Sequence, residues 1–433
     1  MKQRLIFSVL AGSFCGLLFG YDIGAMAGAA PNIRTAFALS PAGLGMAVSA
    51  ALFGTIPGSI AAGFLADALG RRATLSVATF LYGVALVGAA AAQALWPFVA
   101  LRFCCGLAIG LISVTAPMYL AEIAPSRLRG RIVGLFQLSV SIGVVAAFLV
   151  GYVFSRFGYG GGSWRFMLGC AVVPALMGAL CVLRSAVSPR WLASRAQFKE
   201  TRSAMADLGF AQQEADALAK PLDQAGAAAQ PASLFSRQYL RPIFLGISIA
   251  AFNQLTGVNA LLYYILDVFH DLGAGRLNGR ADALALAVLG LVVTVLAVLV
   301  MDSVGRRPLL LSGAAGMGFC LLLLPLIRHY NWPAATVVVV IAAYDACFGF
   351  SQGSVIWVYL SEIFPLPVRA RGQSLGSTVH WVTNAFVVGI FPAMTSRWGQ
   401  RVFVGLALVM VAQFLVILLF YPETRGRTLE SLA

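Results

Sequence analysis

The 433-residue chain is 60% hydrophobic and only 11% charged, which excludes a soluble domain of this size, because too few charges remain to cover its surface. Its net charge of +14 raises the question of nucleic acid, but the basic residues, Arg102 apart, gather at the ends of long apolar runs and between them, so they orient the chain in a lipid bilayer and leave no nucleic-acid footprint. The seven cysteines, at 15, 104, 105, 170, 181, 320 and 347, lie in apolar runs without metal-ligand spacing and read as small packing residues.

Twelve apolar runs are predicted to cross the roughly 30 Å of hydrocarbon as helices. They fall at 5–29, 43–66, 74–95, 97–120, 132–154, 164–184, 241–266, 282–301, 308–328, 335–360, 372–394 and 401–421. With the turns assigned to alternating sides, one side holds 21 Lys and Arg, the other holds eight, and Arg102 lies within a run. The positive-inside rule makes the richer side cytoplasmic and puts both termini there.

The first run opens on MKQRLIFSVLAG, which has the look of a signal peptide, with Ala25-Met-Ala27 as a cleavage site. Cleavage would remove a run that the charge alternation needs, so the segment is read as the first span. Glycines at 12, 16, 20, 24 and 28 form one stripe that lets a neighbouring helix approach at backbone distance. Asp22 lies about 200° around the helix from its glycine neighbours. An ionisable residue inside a span faces a cavity or a partner, so Asp22 is the first functional candidate. Arg102, near the outer end of the fourth run, admits two readings: a residue snorkelling to the interface, or the counter-charge of Asp22. The fifth run brings Gln137 and Ser141 to one face.

The polar stretch 185–239 is the one long interruption; SPRWLASRAQFKETRSAMADLGF reads as short amphipathic helices and PLDQAGAAAQPAS as linker. The seventh run is the most polar, with Asn253, Gln254, Thr256, Asn259, Tyr263 and Tyr264 around Gly257. Buried amides need partners, so this cluster predicts a water-filled cavity, and Gly257 permits a broken helix at a binding site. The tenth run carries Gly353 and Trp357 one turn apart, with Asp345 deeper and without a partner legible in the sequence. The eleventh places His380 and Asn384 on one face with Trp381 beside them; His380 is either a titrating group or a neutral hydrogen-bonding one.

Two charged signatures recur. Tyr119–Arg131, YLAEIAPSRLRGR, returns as Tyr359–Gly372, YLSEIFPLPVRARG, 240 residues on, and DALGRR at Asp67–Arg72 returns as DSVGRR at Asp302–Arg307, 235 residues on. Two signatures repeated in order at nearly one offset mean that about half of the chain is duplicated.

Phe19-Gly20-Tyr21-Asp22, both Asp-x-x-Gly-Arg-Arg turns, YLAEIAPSRLRG, Ser188-Pro-Arg-Trp-Leu192, FNQLTGVNALLYY, YLSEIFP and the terminal Pro422-Glu-Thr-Arg-Gly-Arg-Thr-Leu-Glu430 together resemble the sugar porter family of the major facilitator superfamily, over essentially the whole chain. The resemblance implies an all-α membrane protein of twelve transmembrane helices in two six-helix bundles, residues 1–184 and 240–421. A cytoplasmic helical linker, 185–239, joins them, and a short cytoplasmic tail, 422–433, follows. It implies a monosaccharide carried by alternating access, a proton as co-substrate, no cofactor, a bilayer of the plasma-membrane type and function as a monomer.

By motif, the sugar ligands would be Gln137, Asn253, Gln254, Asn259, Tyr263, Gly353, Trp357, His380, Trp381 and Asn384. Asp22 and Arg102 would couple the proton. Asp67, Arg71, Arg72, Glu122, Arg129, Asp302, Arg306, Glu362 and Arg371 would form a cytoplasmic gate of ion pairs. The chain departs from the bacterial xylose/proton symporter pattern in having Asn253-Gln254 for a Gln pair, Gly290 for an Asn, His380 for a Gln, Val187 for a gate carboxylate and Ala68 for a basic residue. Those departures leave room for a bulkier or differently hydroxylated substrate, and keep a facilitator, or a porter of a polyol, cyclitol or small polar acid, as alternatives. A nutrient sensor needs a cytoplasmic output segment, and an enzyme needs a nucleophile–base set or metal cluster; the sequence offers neither.

Overall fold

A computed structural model describes residues 3–125, 128–156, 163–210, 233–263, 280–330 and 332–424. All its regular elements are helical. The first five long helices are α1 (Gln3–Ala36), α2 (Pro41–Leu69), α3 (Arg71–Ala91), α4 (Leu95–Ile123) and α5 (Arg129–Arg156). The sixth span is split into α6 (Ser163–Gly169) and α7 (Val172–Arg184), followed by two short helices, α8 (Pro189–Ser194) and α9 (Phe198–Leu208). Then come α10 (Leu240–Leu255), α11 (Val258–Tyr263), α12 (Arg280–Val304), α13 (Arg306–His329) and α14 (Ala334–Phe348). A π-helical turn, Gly349–Gly353, leads into α15 (Ser354–Ile363), and α16 (Arg369–Trp398) and α17 (Arg401–Phe420) complete the chain.

Over its described residues, each predicted run coincides with one helix or a broken pair. Ten helices among the described residues are long and apolar enough to cross a membrane, beside a shorter apolar stretch, Leu284–Val300. The predicted run 372–394 is not one of the ten although α16 is 30 residues long. Its Gln373, Ser374, Ser377, His380 and Asn384 are buried, so the helix spends its polarity inside the protein. Large apolar side chains such as Phe80, Leu408 and Leu419 stand exposed instead, the inverse of a soluble protein and the surface a bilayer solvates.

α1 packs on α5, α2 on α4 and α3 on α4; α10 packs on α16 and α13 on both α14 and α17. The glycine stripe of α1 makes the first contact possible. A Cβ on Gly20 would stand 1.8 Å from the Val140 carbonyl oxygen, and one on Gly16 2.4 Å from that of Phe136. The two sets meet through α5 against α12 and α2 against α16.

The repeated Gly-Arg-Arg turns are now explained. Gly70 and Gly305 both adopt positive φ, +86° and +97°, at the sharp reversals from α2 into α3 and from α12 into α13, where an L side chain is strained. The second arginine of each turn then reaches the end of a neighbouring helix. Arg72 donates to the carbonyls of Val182 (3.1 Å) and Leu183, and Arg307 to that of Leu418 (2.6 Å). Both arrangements place a cation at the carbonyl end of a helix.

The first part of the 185–239 stretch forms the expected short helices. They dock on the end of α2: Trp191 Nε1 and Arg195 Nη2 donate to the Asp67 carbonyl at 3.0 and 2.8 Å. Residues 211–232, which include most of the PLDQAGAAAQPAS linker, lie outside the described residues, as do Arg127, Tyr264 and the tail from 425.

Candidate functional site

The helices line a central cavity of about 130 Å³. Helices from both sets line it, and the break at Gly257 (φ +83°) brings three amides of the seventh span to its wall. Asn253, Gln254, Asn259, Gly353, Trp357, His380, Trp381, Asn384, Gln137, Asp22 and Arg102 are all among its lining residues. Of the sugar ligands expected by motif, Tyr263 alone is missing from this lining, and its side chain lies outside the described residues.

The span-7 amides form one chain of hydrogen bonds. Asn253 Nδ2 donates to the Gln352 carbonyl (3.1 Å) and Gln254 Nε2 to Asn253 Oδ1 (2.9 Å), while Asn259 Nδ2 donates to Gln254 Oε1 (2.8 Å). Gln352 lies in the π-turn, where the wider winding takes carbonyls away from the ordinary helical donors. Asn253 therefore serves the backbone of the tenth span as well as the cavity. Gln254 Nε2 also lies 3.1 Å from His380 Nε2. His380 is wedged between Trp357 and Trp381, with ring centroids 5.2 and 5.1 Å away.

Phe19 closes the same aromatic floor at 5.4 Å from Trp381, and Phe136 stands 5.8 Å from Trp357. Indole faces match sugar C–H groups, and amides supply donor and acceptor together, so this lining suits a small polyhydroxylated ring. Trp357 Nε1 donates to Gln137 Oε1 at 3.0 Å, a bond between α15 and α5. Asn384 is buried with its Oδ1 lacking a hydrogen-bond partner, an acceptor turned to the cavity.

Asp22 and Arg102 meet as a two-pronged ion pair. Arg102 Nη2 donates to Asp22 Oδ2 at 2.9 Å and Nη1 to Oδ1, and both residues are buried on the cavity wall. The snorkelling reading of Arg102 is thereby set aside. Tyr82 of α3 adds a third donor to Asp22 Oδ1 at 3.3 Å. Nothing in the sequence singled out Tyr82; an aromatic in an apolar run has no polar neighbours to mark it.

At the basic end the charged signatures fold into two similar knots. In the first, Arg71 Nη2 donates to Glu122 Oε1 (3.0 Å), with Arg71 also 3.6 Å from Asp67, and the Ser188 hydroxyl donates to Glu122. In the second, Arg306 Nη2 donates to Glu362 Oε1 (3.0 Å) and Thr424 Oγ1 to Glu362 Oε2 (2.7 Å). Buried Arg129 stands close enough for its charge to act on Glu362. Two longer ion pairs link the knots to α16: Arg369 to Glu122 at 4.0 Å and Arg371 to Asp67 at 3.8 Å.

Arg72 reaches helix carbonyls and not a carboxylate; the side chain of Asp302 lies outside the described residues. Sequence reasoning noted the motifs that hold Arg369, Ser188, Glu423 and Thr424 but gave these residues no place in the gate. Glu423 accepts from the backbone N–H groups of Arg306 and Arg307, both at 3.0 Å, and so caps α13.

Between the cavity and the knots runs a seam of hydroxyl groups. Ser59 meets Thr378 and Ser113 meets Ser377, both at 3.0 Å. Ser374 donates to the Ser59 carbonyl at 2.5 Å and Trp381 Nε1 to Ser113 Oγ at 3.2 Å; at the level of the cavity, Ser141 of α5 pairs with Thr294 of α12 at 3.0 Å. The seam and the long ion pairs seal the basic end, while Met26, Val48 and Arg102 carry the cavity toward the opposite end.

Residues 8–433 match the family described as sugar (and other) transporter. A D-xylose transporter of Levilactobacillus brevis is 32% identical over 97% of this chain and 93% of its own length. The galactose-proton symporter of Escherichia coli K12 is 31% identical over 100% of this chain and 94% of its own. Among solved structures, the major facilitator superfamily proton:xylose symporter XylE bound to 6-bromo-6-deoxy-D-glucose superposes with a TM-score of 0.89 at 29% identity, covering 99% of this chain and 98% of that one. The inward-open conformation of XylE from E. coli gives 0.75, at 30% identity and 99% coverage of both chains. The two structures thus differ in how far their fold matches that of this chain. With the family match running from residue 8 to the end, the chain belongs to the sugar (and other) transporter family and is a multi-pass membrane transporter with the major facilitator fold, not an enzyme.

Proposed function

We propose that this protein imports a monosaccharide together with a proton across a plasma membrane of the bacterial inner-membrane type, by rocking of two six-helix bundles (1–184 and 240–421) joined by the 185–239 linker. The observation that carries the proposal is the buried Asp22–Arg102 pair on the wall of a cavity lined by amides and indoles. A carboxylate held by a guanidinium is stable while charged; once the pair is pulled apart in a dry site, only a proton neutralises it. Coupling Asp22 to cavity geometry therefore couples proton uptake to the position of the bundles.

The basic end is the cytoplasmic side in this reading, with both termini there, and the structure faces outward. Sugar enters the cavity from the far side and is held by Gln137, Gln254, Asn259, Trp357 and Asn384, with Trp381 and His380 shaping the floor. Inward opening separates the Arg369–Glu122 and Arg371–Asp67 pairs and the hydroxyl seam. Pairs that exist in only one conformation set its population, which is what a gate does. The transporter works as a monomer with lipid as its surroundings, and neither a cofactor nor nucleic acid takes part.

The test is uptake of labelled D-xylose, D-glucose, D-galactose and L-arabinose into energised vesicles, with and without a protonophore. Accumulation above the outside level that collapses with protonophore is the expected result, and Asp22→Asn should abolish accumulation while sparing sugar exchange. Equilibration without accumulation in the unmutated protein would make it a facilitator and the Asp22–Arg102 pair a structural one.

A further inference from the structure

One carboxylate inside the membrane is not used by the scheme above. Asp345 lies in α14, eleven residues from its first residue and well within the bilayer. It is half-buried, and no hydrogen bond or ion pair reaches it. Its direction follows from helix geometry at 100° per residue. Exposed Ala343 is about 200° away, so the carboxyl points away from lipid, whereas Phe348, which lines the cavity, is only about 60° away.

A second observation concerns the helix opposite. Gly290 of α12 faces Asp345, and a Cβ there would find Asp345 Oδ2 at 3.5 Å and no other atom within 4 Å. The space beside Gly290 is therefore open except for the Asp345 carboxyl, which reaches into it. The stretch 284–300 of α12 carries no ionisable residue. On α13 the group nearest this level is Cys320, which meets Cys347, and on α14 itself Tyr344 gives its hydroxyl to the Thr256 carbonyl at 2.7 Å. No cation faces Asp345 from any of these elements.

The duplication supplies a third. The 240-residue offset that relates Glu122 to Glu362 relates Asp345 to Cys105, three residues from Arg102. The second half thus carries an acid at the depth where the first half carries the Arg102–Asp22 pair, without a guanidinium to neutralise it.

We propose that Asp345, in the open space beside Gly290, is a second proton-binding site on the transport route, so that two protons enter with each sugar. An unpaired carboxylate at this depth is too costly to stay charged, and among the groups facing it only a proton can discharge it. Asp345 stands four residues before the π-turn Gly349–Gly353, at which the tenth span changes its winding. Bending of the tenth span at such a turn as the halves rock changes the water that reaches the carboxyl, which allows release on the other side.

This inference rests on the symport reading, and counting protons separates the two. In proteoliposomes clamped at 60 mV without a pH gradient, each co-transported proton supports about tenfold accumulation at zero net flux. With whichever of D-xylose, D-glucose or D-galactose is carried, the unmutated protein should reach about a hundredfold, Asp345→Asn about tenfold, and Asp345→Glu should return to a hundredfold. A tenfold limit in the unmutated protein would overturn the second site and leave symport standing. No accumulation at all would overturn symport itself. An unchanged hundredfold limit in Asp345→Asn would make Asp345 structural, and a preference for D-glucosamine over D-glucose that Asp345→Asn removes would assign the carboxylate to a substrate amine instead.

Discussion

At the scale of single residues, the cavity is organised by which polar atoms are already occupied. Asn253 spends its amide nitrogen on the π-turn and its oxygen on Gln254. Asn384 keeps a buried oxygen without a partner. A buried unpaired acceptor costs about 1–3 kcal/mol, a cost removed when a sugar hydroxyl donates to it. Asn384→Ala should therefore weaken sugar binding about 5- to 150-fold without lowering the melting temperature of the sugar-free protein; equilibrium binding and a thermal melt of the same sample read both. A drop in melting temperature with unchanged affinity would mark the residue as structural. The types and depths of the cavity residues were legible because amides and ionisable groups are costly in hydrocarbon and stand out there. Tyr82 and Phe136 were not, since an aromatic residue in an apolar span is indistinguishable from packing until its neighbours are known.

At the scale of elements, the helices are shaped by where they stop being regular. The break at Gly257 was legible from a glycine set among amides. The π-turn at 349–353 was not, because Gly-Phe-Ser-Gln-Gly continues the helical pattern without a proline; only Asn253 reaching for the Gln352 carbonyl reveals it. The Gly-Arg-Arg turns were recognisable as a repeat, but their physical demand appears only in the backbone. At Gly305 a Cβ would stand 2.6 Å from the Glu423 carboxylate that caps α13, in a conformation strained for any L residue. Gly305→Ala should destabilise the protein by about 1–3 kcal/mol, lowering its melting temperature in detergent. An unchanged melt would mean that the turn relaxes without loss.

At the scale of the whole molecule, the charge asymmetry and the duplication together made the architecture legible, because both are statistical properties of the entire chain. The conformation was not, since the same sequence serves every state of a rocking carrier. Closure at the basic end depends on contacts between distant segments: Arg369 on Glu122, Arg371 on Asp67 and the Ser–Thr seam along α16. Glu122 collects Arg71, Ser188 and Arg369 in one buried cluster. Removing one partner of such a cluster costs about 3–5 kcal/mol. Glu122→Gln should therefore shift the resting population toward inward-open, seen as a longer spin-label distance between the basic ends of α2 and α16. A distance distribution identical to that of the unmutated protein would remove Glu122 from the closure.

The seam has a consequence for the direction of traffic. Its bonds are between neutral hydroxyl, carbonyl and indole groups, each worth about 0.5–1.5 kcal/mol net. Opening a handful of them costs a few kcal/mol, close to the roughly 2.3 kcal/mol that 100 mV supplies per charge moved. A latch that weak does not act as a ratchet. The molecule is a balance whose arm tips either way with the weights on it, so a cell that loses its membrane potential would lose its stored sugar through the same door.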